Sequence, residues 1–463
     1  MTEQVDTTID YSSKISNHSS YVYRTGQVLS SNSVTLSATS TTGITQILLP
    51  SQVQNLARSY LQFNVSSTAV AAKYKILSGD LLRMFDRIVL TDISTNSVLM
   101  DLTNIPYVYE TIQRPGTYFN DLQSNYITGS TKIPTTVASG NLNPLTSSSK
   151  TNVILGATPP NIVYGTVTSD VSYTAQTRYY ASANTNTAVN YSVRIKLEDF
   201  LFTILAVDKN IYTPSTLQMD IYWSPSNAFL YDCSAVDDLS TIGAVGGTTT
   251  ISNISLNICC ENNLSLISQT IDKVMNTGIN FAFPYISNVK QSVGSTASPS
   301  YQINLNKSYG NTLLFAITSI FGNEGDNSVA GAYLSIANGA VDSGSTLTSY
   351  NTFLNGISIL RQSGFDVTKS EDFQYNQVYS DKSAIQSRAD YAYAWFHCDS
   401  FKRQAPLWSY KNEYTSVDGM SLEVPSTYQF MGTLGASRNN IYFTVLCGLK
   451  NIAFTNMGTV VSV

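Results

Sequence analysis

Hydrophobic and polar residues alternate with a period of two over most of the chain. "YVYRTGQVLSSNSVTLSAT", from residue 21, repeatedly places an apolar or aromatic side chain at every second position, and "ITQILLP" and "SYLQFNV" continue the pattern. Successive side chains of a strand point to opposite faces, so this period predicts antiparallel strands with one buried face. "GINFAFPYI", "TLLFAITSIF" and the segment from residue 439 onward predict further strands in the second half.

Three short stretches favour helix instead. In "LSLISQTIDKVM", residues 264–275, the apolar positions recur at helical spacing and predict the best-defined helix of the chain. Residues 104–113 predict a second helix, with Pro106 near its first turn. Residues 369–385 are compatible with a third helix at the corresponding place in the second half. Strands therefore dominate, and helices are confined to connections.

The two halves of the chain repeat one another. Four segments of the first half have counterparts in the same order in the second half, each about half a chain further on. The pairs are "LLP" (48–50) with "AFP" (282–284), "LARSYLQFNV" (56–65) with "LNKSYGNTLLF" (305–315), residues 81–102 with 349–367, and residues 192–223 with 421–447. A repeat this long indicates duplication of a whole domain, since solenoids and propellers repeat over much shorter periods.

These patterns predict an all-β protein of two tandem eight-stranded antiparallel jelly rolls, the double jelly roll, with a few short helices in the connections. Gly246 and Gly247 in "VGGTTT" (245–250) mark the predicted linker between the two domains. The predicted organisation is an N-terminal arm at 1–20, a first jelly roll at 21–244 with a long loop insertion at 115–190, and a second jelly roll at 245–463.

Composition narrows the class of function. Charged residues make up 12% of the chain, against the usual 25% or so, which suits a protein whose faces are covered by neighbours better than a freely soluble enzyme. The net charge of −5 and the absence of clustered basic residues argue against sequence-specific nucleic-acid binding. The acidic residues of the N-terminal segment, Glu3, Asp6 and Asp10, outnumber the basic ones, Lys14 and Arg24, so this segment is not a basic packaging arm.

Neither export nor membrane insertion is predicted. No secretory hydrophobic segment begins the sequence, and no apolar run reaches the roughly 18 residues of a transmembrane helix. Five cysteines lack metal-ligand spacing and are odd in number, so free thiols, mostly buried, in a reducing compartment are expected.

Few residues suggest catalysis. His397, Cys398 and Asp399 include the residue types of a nucleophile and its base, but His397 and Cys398 are strand neighbours that point to opposite faces. The vicinal pair Cys259 and Cys260 has the same defect as a redox site. No phosphate-binding loop or dinucleotide fingerprint is present, and we predict no catalytic residue, no cofactor and no metal site.

Acidic and aromatic clusters leave alternatives open. The pairs Asp237–Asp238 and Glu371–Asp372, and the loop 322–327, could hold Ca²⁺, but acidic residues in such turns commonly cap helices or start turns. The aromatic stretch 391–410 is interpreted as core and loop packing, and the alternative is a subunit contact in which aromatic side chains and Arg403 anchor a partner.

The tandem jelly rolls, the arm, the long loops and the segments "LARSYLQFNV", "LLRMFDRIVLTD" and "YSVRIKLEDFLFTI" resemble the double jelly-roll major capsid proteins of tailless icosahedral viruses, which include lipid-containing phages, virophages and adenovirus-like lineages. This resemblance implies a homotrimer whose six jelly rolls form a pseudo-hexameric capsomer of an icosahedral shell. It also implies that the insertion 115–190 belongs to an outward tower, and that the arm 1–20 reaches toward neighbouring capsomers or an internal membrane.

The expected partners are further copies of the chain, neighbouring capsomers, and penton and minor capsid proteins. The expected location is the virion, after synthesis inside the host cell without a signal peptide. The alternative function is an extracellular binding or surface-layer protein built of paired β-sandwiches, and a hydrolase on a jelly-roll scaffold is a third possibility that would require a convergent histidine or carboxylate cluster.

Overall fold

The chain forms mainly antiparallel strands, as seen in a computed structural model. The structure describes residues 19–30, 32–39, 41–71, 74–78, 81–116, 153–154, 161–165, 177–181, 189–233, 245–296, 298–321, 347–359, 365–366, 396–401, 419–434 and 438–462. All structural statements below refer to these residues.

The first part of the described chain contains seventeen strands and one α-helix. The strands are β1 Tyr21–Thr25, β2 Gln27–Val28, β3 Ser33–Leu36, β4 Thr41–Thr42, β5 Ile44–Leu49, β6 Gln54–Ser67, β7 Tyr74–Ser78, β8 Phe85–Asp92, β9 Ser97–Thr103, β10 Val153–Ile154, β11 Asn161–Gly165, β12 Thr177–Ala181, β13 Val189–Lys196, β14 Asn210–Ile211, β15 Leu217–Trp223, β16 Leu230–Cys233 and β17 Thr249–Glu261. Helix α1 spans Ile105–Gly116. Short 3-10 helices lie at Leu81–Met84, Leu197–Asp199, Ile204–Ala206 and Ser226–Ala228.

The remaining described chain begins with helix α2, Leu264–Asn276, and continues with eleven strands. These are β18 Ile279–Thr296, β19 Ser300–Leu305, β20 Thr312–Phe321, β21 Leu347–Leu354, β22 Ile357–Ser358, β23 Phe365–Asp366, β24 Phe396–Ser400, β25 Met420–Ser421, β26 Ser426–Leu434, β27 Arg438–Thr455 and β28 Gly458–Ser462. A 3-10 helix lies at Lys307–Tyr309. The two helices predicted around 104–113 and 264–275 are thus confirmed, and the segment 369–385 lies outside the described residues.

Both halves have the strand connectivity of a jelly roll. Eight main strands of the first half, β3, β5, β6, β8, β9, β13, β15 and β17, form sheets in the order β3-β17-β6-β13 and β5-β15-β8-β9. Numbered in chain order, these are strands 1-8-3-6 and 2-7-4-5. The second half repeats the same scheme with the sheets β18-β27-β20-β24 and β19-β26-β21-β22. The predicted duplication and the all-β double jelly-roll fold are therefore confirmed.

The change of sheet partners does not fall at the predicted linker 245–250. Strand β17 follows that linker in sequence but is antiparallel to β6, β3 and β1, all strands of the first half. Gly247, with φ of +78°, makes a turn before the closing strand of the first jelly roll. The connection between the two sets of sheets is helix α2.

A fifth sheet, ordered β10-β11-β12-β7-β16, stands beside the first jelly roll. Its strands β10, β11 and β12 come from the predicted insertion 115–190. Strand β12 pairs with β7, which follows β6 in the chain. Between the end of α1 at residue 116 and the start of β13 at residue 189, the described parts of the insertion are therefore strands that continue an antiparallel sheet.

The core of the first jelly roll is aromatic. Phe63 on β6 packs edge-on against Trp223 on β15 at 5.0 Å between ring centroids, and Phe85 on β8 lies 5.2 Å from the same indole. The buried Trp223 Nε1 donates a hydrogen bond of 2.9 Å to Thr45 Oγ1. Since Phe63 and Trp223 come from opposite sheets, these contacts close the sandwich.

Candidate functional site

The two jelly rolls share one sheet as a common wall. The sheet β18-β27-β20-β24, called the shared sheet below, is buried on both faces over Ile441–Lys450 of β27. Tyr442 and Leu446 point into the core of the second jelly roll, whereas Phe443 and Val445 join the core cluster of the first. Antiparallel strands usually bury one face, so this near-continuous apolar run indicates a sheet that packs on both sides.

Helix α1 fills the space between the first jelly roll and the shared sheet. Its residues Ile105, Val108, Tyr109 and Ile112 follow the i, i+3, i+4, i+7 spacing of one helix face and are all fully buried. On another side of the helix, Tyr107 stacks on Phe443 of β27 at 5.4 Å between centroids with an interplanar angle of 27°. The first turns of the helix are buried all round because cores lie on both sides of it.

Phe202 adopts an unfavourable backbone conformation where the first jelly roll contacts the shared sheet. Phe202 has φ of +58°, a region that bulky residues rarely adopt, and its ring is buried against Phe315 of β20 at 5.2 Å. A conformation of this kind costs about 1–3 kcal/mol and persists only where packing fixes it. The apolar contact between the two jelly rolls supplies that packing.

Polar side chains fix the position of the second jelly roll relative to the first. Asn288 of β18 donates from Nδ2 to the Thr103 carbonyl at 2.9 Å and accepts from Asn104 Nδ2 at 3.0 Å. The Lys290 ammonium lies 4.6 Å from the centre of the Tyr107 ring. Directional bonds of this kind define one relative placement, which hydrophobic burial alone does not.

The buried carboxylate of Asp92 joins the first jelly roll to the C-terminal hairpin β27–β28. Its Oδ2 accepts from Thr459 N at 2.8 Å and from Thr459 Oγ1 at 2.6 Å, while Oδ1 accepts from Ser94 N at 2.9 Å. Burial opposes ionisation, but the hydrogen bonds from Ser215, Thr459 and Ser94 outweigh it and lower the pKa of Asp92 to about 2. Asp92 therefore links residues 367 positions apart in the sequence.

The only sequence candidates for catalysis that form a described cluster are His397 and Asp399. Both lie on the inner face of β24, and His397 Nε2 is 2.9 Å from Asp399 Oδ1. Tyr350 OH shares a hydrogen bond of 3.3 Å with His397 Nδ1, and Tyr428 OH donates to Asp399 Oδ2 at 2.8 Å. All four residues are at most 2% exposed, so the cluster lies inside the second core and presents no surface to a substrate.

Sequence alone did not predict the pairing of His397 with Asp399, although both residues were candidates. Residues two apart on a strand share a face, so the spacing of His397 and Asp399 was the signal that could have found it. Tyr350 and Tyr428 come from other strands, so no local sequence pattern predicts their contacts with His397 and Asp399.

Three of the five cysteines, Cys259, Cys260 and Cys447, are buried thiols. Cys259, Cys260 and Cys447 are free and at most 1% exposed, which confirms the predicted burial for these three. Burial raises the pKa of Cys259 to about 11, which leaves little thiolate at neutral pH.

The other sequence candidates lie outside the described residues, namely Asp237–Asp238, Glu371–Asp372, the loop 322–327 and most of the stretch 391–410. In the part of the chain that the structure describes, no group of three or more His, Cys, Asp and Glu side chains is arranged to hold a metal ion. Among the same residues, no helix has the length and apolar character needed to cross a membrane.

Two tandem jelly rolls of equal connectivity define the double jelly-roll class. Solved structures of double jelly-roll capsid proteins match almost the whole chain. The PBCV-1 virus capsid matches over 96% of this chain and 97% of its own, with a TM-score of 0.54 and 7% identity. The Sputnik virophage structure from cryo-EM matches over 96% and 88%, with a TM-score of 0.54 and 11% identity.

The Faustovirus major capsid protein matches over 95% of this chain and 91% of its own, with a TM-score of 0.50 and 10% identity. No protein-family model and no curated protein matches the sequence. At identities this low the likeness is one of fold, and the chain has the fold of double jelly-roll capsid proteins, as the sequence resemblance predicted.

Proposed function

We propose that the chain is a viral major capsid protein that forms homotrimeric, pseudo-hexameric capsomers of an icosahedral shell. The observation that carries this proposal is the pair of jelly rolls with the same connectivity, held against a shared sheet. Three copies of such a doubled unit present six similar sandwiches around a threefold axis, so a trimer fits a position with six neighbours. Point-group closure at three subunits leaves the outer side faces free for lattice contacts.

The low charge of the chain supports lateral packing. With 12% charged residues, the side faces carry fewer ionic groups that must be desolvated when capsomers meet. The outer face of the second jelly roll illustrates this with Gln302, Asn304, Thr427 and Gln429, neutral polar residues on the paired strands β19 and β26. Neutral amides and hydroxyls can exchange water for a neighbour at a smaller penalty than charges.

We further propose that the protein has a structural rather than an enzymatic role, that it resides in the virion, and that it contacts neighbouring capsomers together with penton and minor capsid proteins. In this organisation residues 1–20 are an arm, with a membrane beneath the shell as one destination. The boundary between the jelly rolls is proposed at helix α2, because β17 completes the first set of sheets and β18 begins the second.

Light scattering coupled to size exclusion of the full chain tests the trimer. A species of three times 50.5 kDa that persists on dilution is expected, together with shells or hexagonal arrays in electron micrographs of an expressing culture. A stable monomer that forms no particles at any concentration contradicts the proposal. Saccharide binding by that monomer would favour the alternative, an extracellular binding or surface-layer protein.

A further inference from the structure

The linking helix α2 buries less of its apolar stripe than its sequence provides. At about 100° per residue, Leu264 and Met275 lie within about 20° of each other on the helix, while Val274 is about 80° away. Val274 is buried in the core, whereas Leu264 is 78% exposed and Met275 is 43% exposed. Ile267 and Ile271, between these directions, are half-buried. The helix therefore turns one side of its stripe to the core and leaves the other side without a described partner.

The start of the described chain lies beside the start of this helix. Glu261 Oε1 accepts from Ser20 N at 2.8 Å and from Asn263 N at 3.0 Å, so one carboxylate binds both segments. Asn263 in turn caps α2 by accepting from Ser265 N at 3.0 Å. The segment before Ser19 therefore leaves the fold within a few residues of the exposed Leu264.

This preceding segment is long enough to cover the stripe and carries two apolar residues, Val5 and Ile9. Residues 1–18 can extend to about 60 Å, whereas the thirteen residues of α2 span only about 20 Å. Val5 and Ile9 are four apart, the interval at which side chains share one helix face. Tethering at Ser20 gives the segment an effective concentration in the millimolar range at the helix, which favours its own chain over a second copy.

We propose that residues 1–18 dock in cis on the exposed side of α2, with Val5 and Ile9 packing against the apolar stripe between Leu264 and Met275. The proposal concerns the isolated chain; in an assembled shell the same segment would have to leave α2 to act as the arm proposed above. It implies that α2 is shielded from solvent in the isolated protein although the jelly rolls leave it uncovered.

Hydrogen exchange with mass spectrometry on the full chain tests this docking. The variant Val5→Asp/Ile9→Asp is expected to speed amide exchange in α2 at least tenfold, because charges remove the apolar contact. The matched control Thr7→Asp/Thr8→Asp adds the same charge within the same segment and should leave exchange in α2 unchanged. Equal exchange in the unsubstituted protein and both variants, or equal acceleration by both variants, would overturn the proposal.

Two further measurements distinguish docking in cis from docking by a second copy of the chain. Leu264→Gln/Met275→Gln, at two exposed positions, should increase proteolytic cleavage within 1–18 severalfold, and Asp272→Asn on the exposed polar side of α2 should not. Protection of α2 should be unchanged over a hundredfold dilution. Protection that falls on dilution would identify a second copy as the occupant and refute docking in cis.

Discussion

Replacing Asp92 by asparagine should weaken the link between the first jelly roll and the C-terminal hairpin. The carboxylate is fully buried and accepts two hydrogen bonds from Thr459 and two from Ser94. Asparagine keeps the shape but has one accepting oxygen, so its amide nitrogen would face either the donors of Thr459 or those of Ser94. A buried donor without an acceptor costs about 1–3 kcal/mol.

The lowered pKa gives an independent magnitude. A shift from 3.8 to about 2 corresponds to about 2.4 kcal/mol at about 1.4 kcal/mol per pH unit. Because the folded-state pKa is the lower one, this stabilisation is fully present above pH 3.8 and is lost as the pH falls toward 2. About half of it should remain near pH 3.

Denaturant unfolding at a series of pH values measures both effects. At pH 7, Asp92→Asn should lower the free energy of unfolding by about 2 kcal/mol, and the difference from the unsubstituted protein should shrink below pH 4. Asp220→Asn is the matched control, because Asp220 is half-buried and accepts from Gln218 on the outer face of the first jelly roll. A difference that stays constant down to pH 2.5, or an equal loss in both variants, would refute the reasoning.

Three further outcomes follow from the second jelly roll. Asp399→Ala should lower the free energy of unfolding by about 3–5 kcal/mol, because it leaves His397 and Tyr428 buried without their carboxylate partner. Denaturant titration would measure this loss and should show a smaller one for Tyr428→Phe. Gly310→Ala should reduce the melting temperature more than Gly356→Ala, although both glycines have positive φ. A Cβ at Gly310 would lie 2.8 Å from a backbone oxygen, whereas a Cβ at Gly356 would meet no atom within 4 Å. Burial raises the pKa of Cys447, so peptide mapping after thiol labelling at pH 8 should find it modified only in denatured protein; labelling of the folded chain would contradict its burial.

Local sequence patterns predicted many of the strands, both described helices and the duplication, but not the strands β10–β12 of the insertion. The match between residues 81–102 and 349–367 is structurally correct, since Phe85 begins β8 and Phe353 lies in β21, the fourth strands of the two jelly rolls. The match between 192–223 and 421–447 is displaced by one strand, because it aligns strands six and seven with strands seven and eight. Alternating strands resemble one another, so string similarity cannot fix which strand corresponds to which.

Long-range pairing was the part that sequence could not supply. Gly246 and Gly247 read locally as a linker, yet the strand that follows them pairs with residues about 180 positions earlier, such as Ile251 with Val65. The shared sheet did carry a signal: "IYFTVLCGL" in β27 is apolar almost without interruption, which is typical of a strand buried on both faces. The polar cluster around His397 is assembled from separate strands, so only its pair on β24 was readable.

Because the shared sheet is buried on both faces, the chain cannot be divided between the jelly rolls without exposing one of those faces. Cutting the protein at α2 would not release two self-sufficient halves, because the C-terminal piece would expose Phe443, Val445 and Phe315 to water. Such a piece should aggregate, and the N-terminal piece would expose Tyr107 and Phe202, which pack on Phe443 and Phe315 of the shared sheet. The two jelly rolls are therefore expected to fold only as one chain.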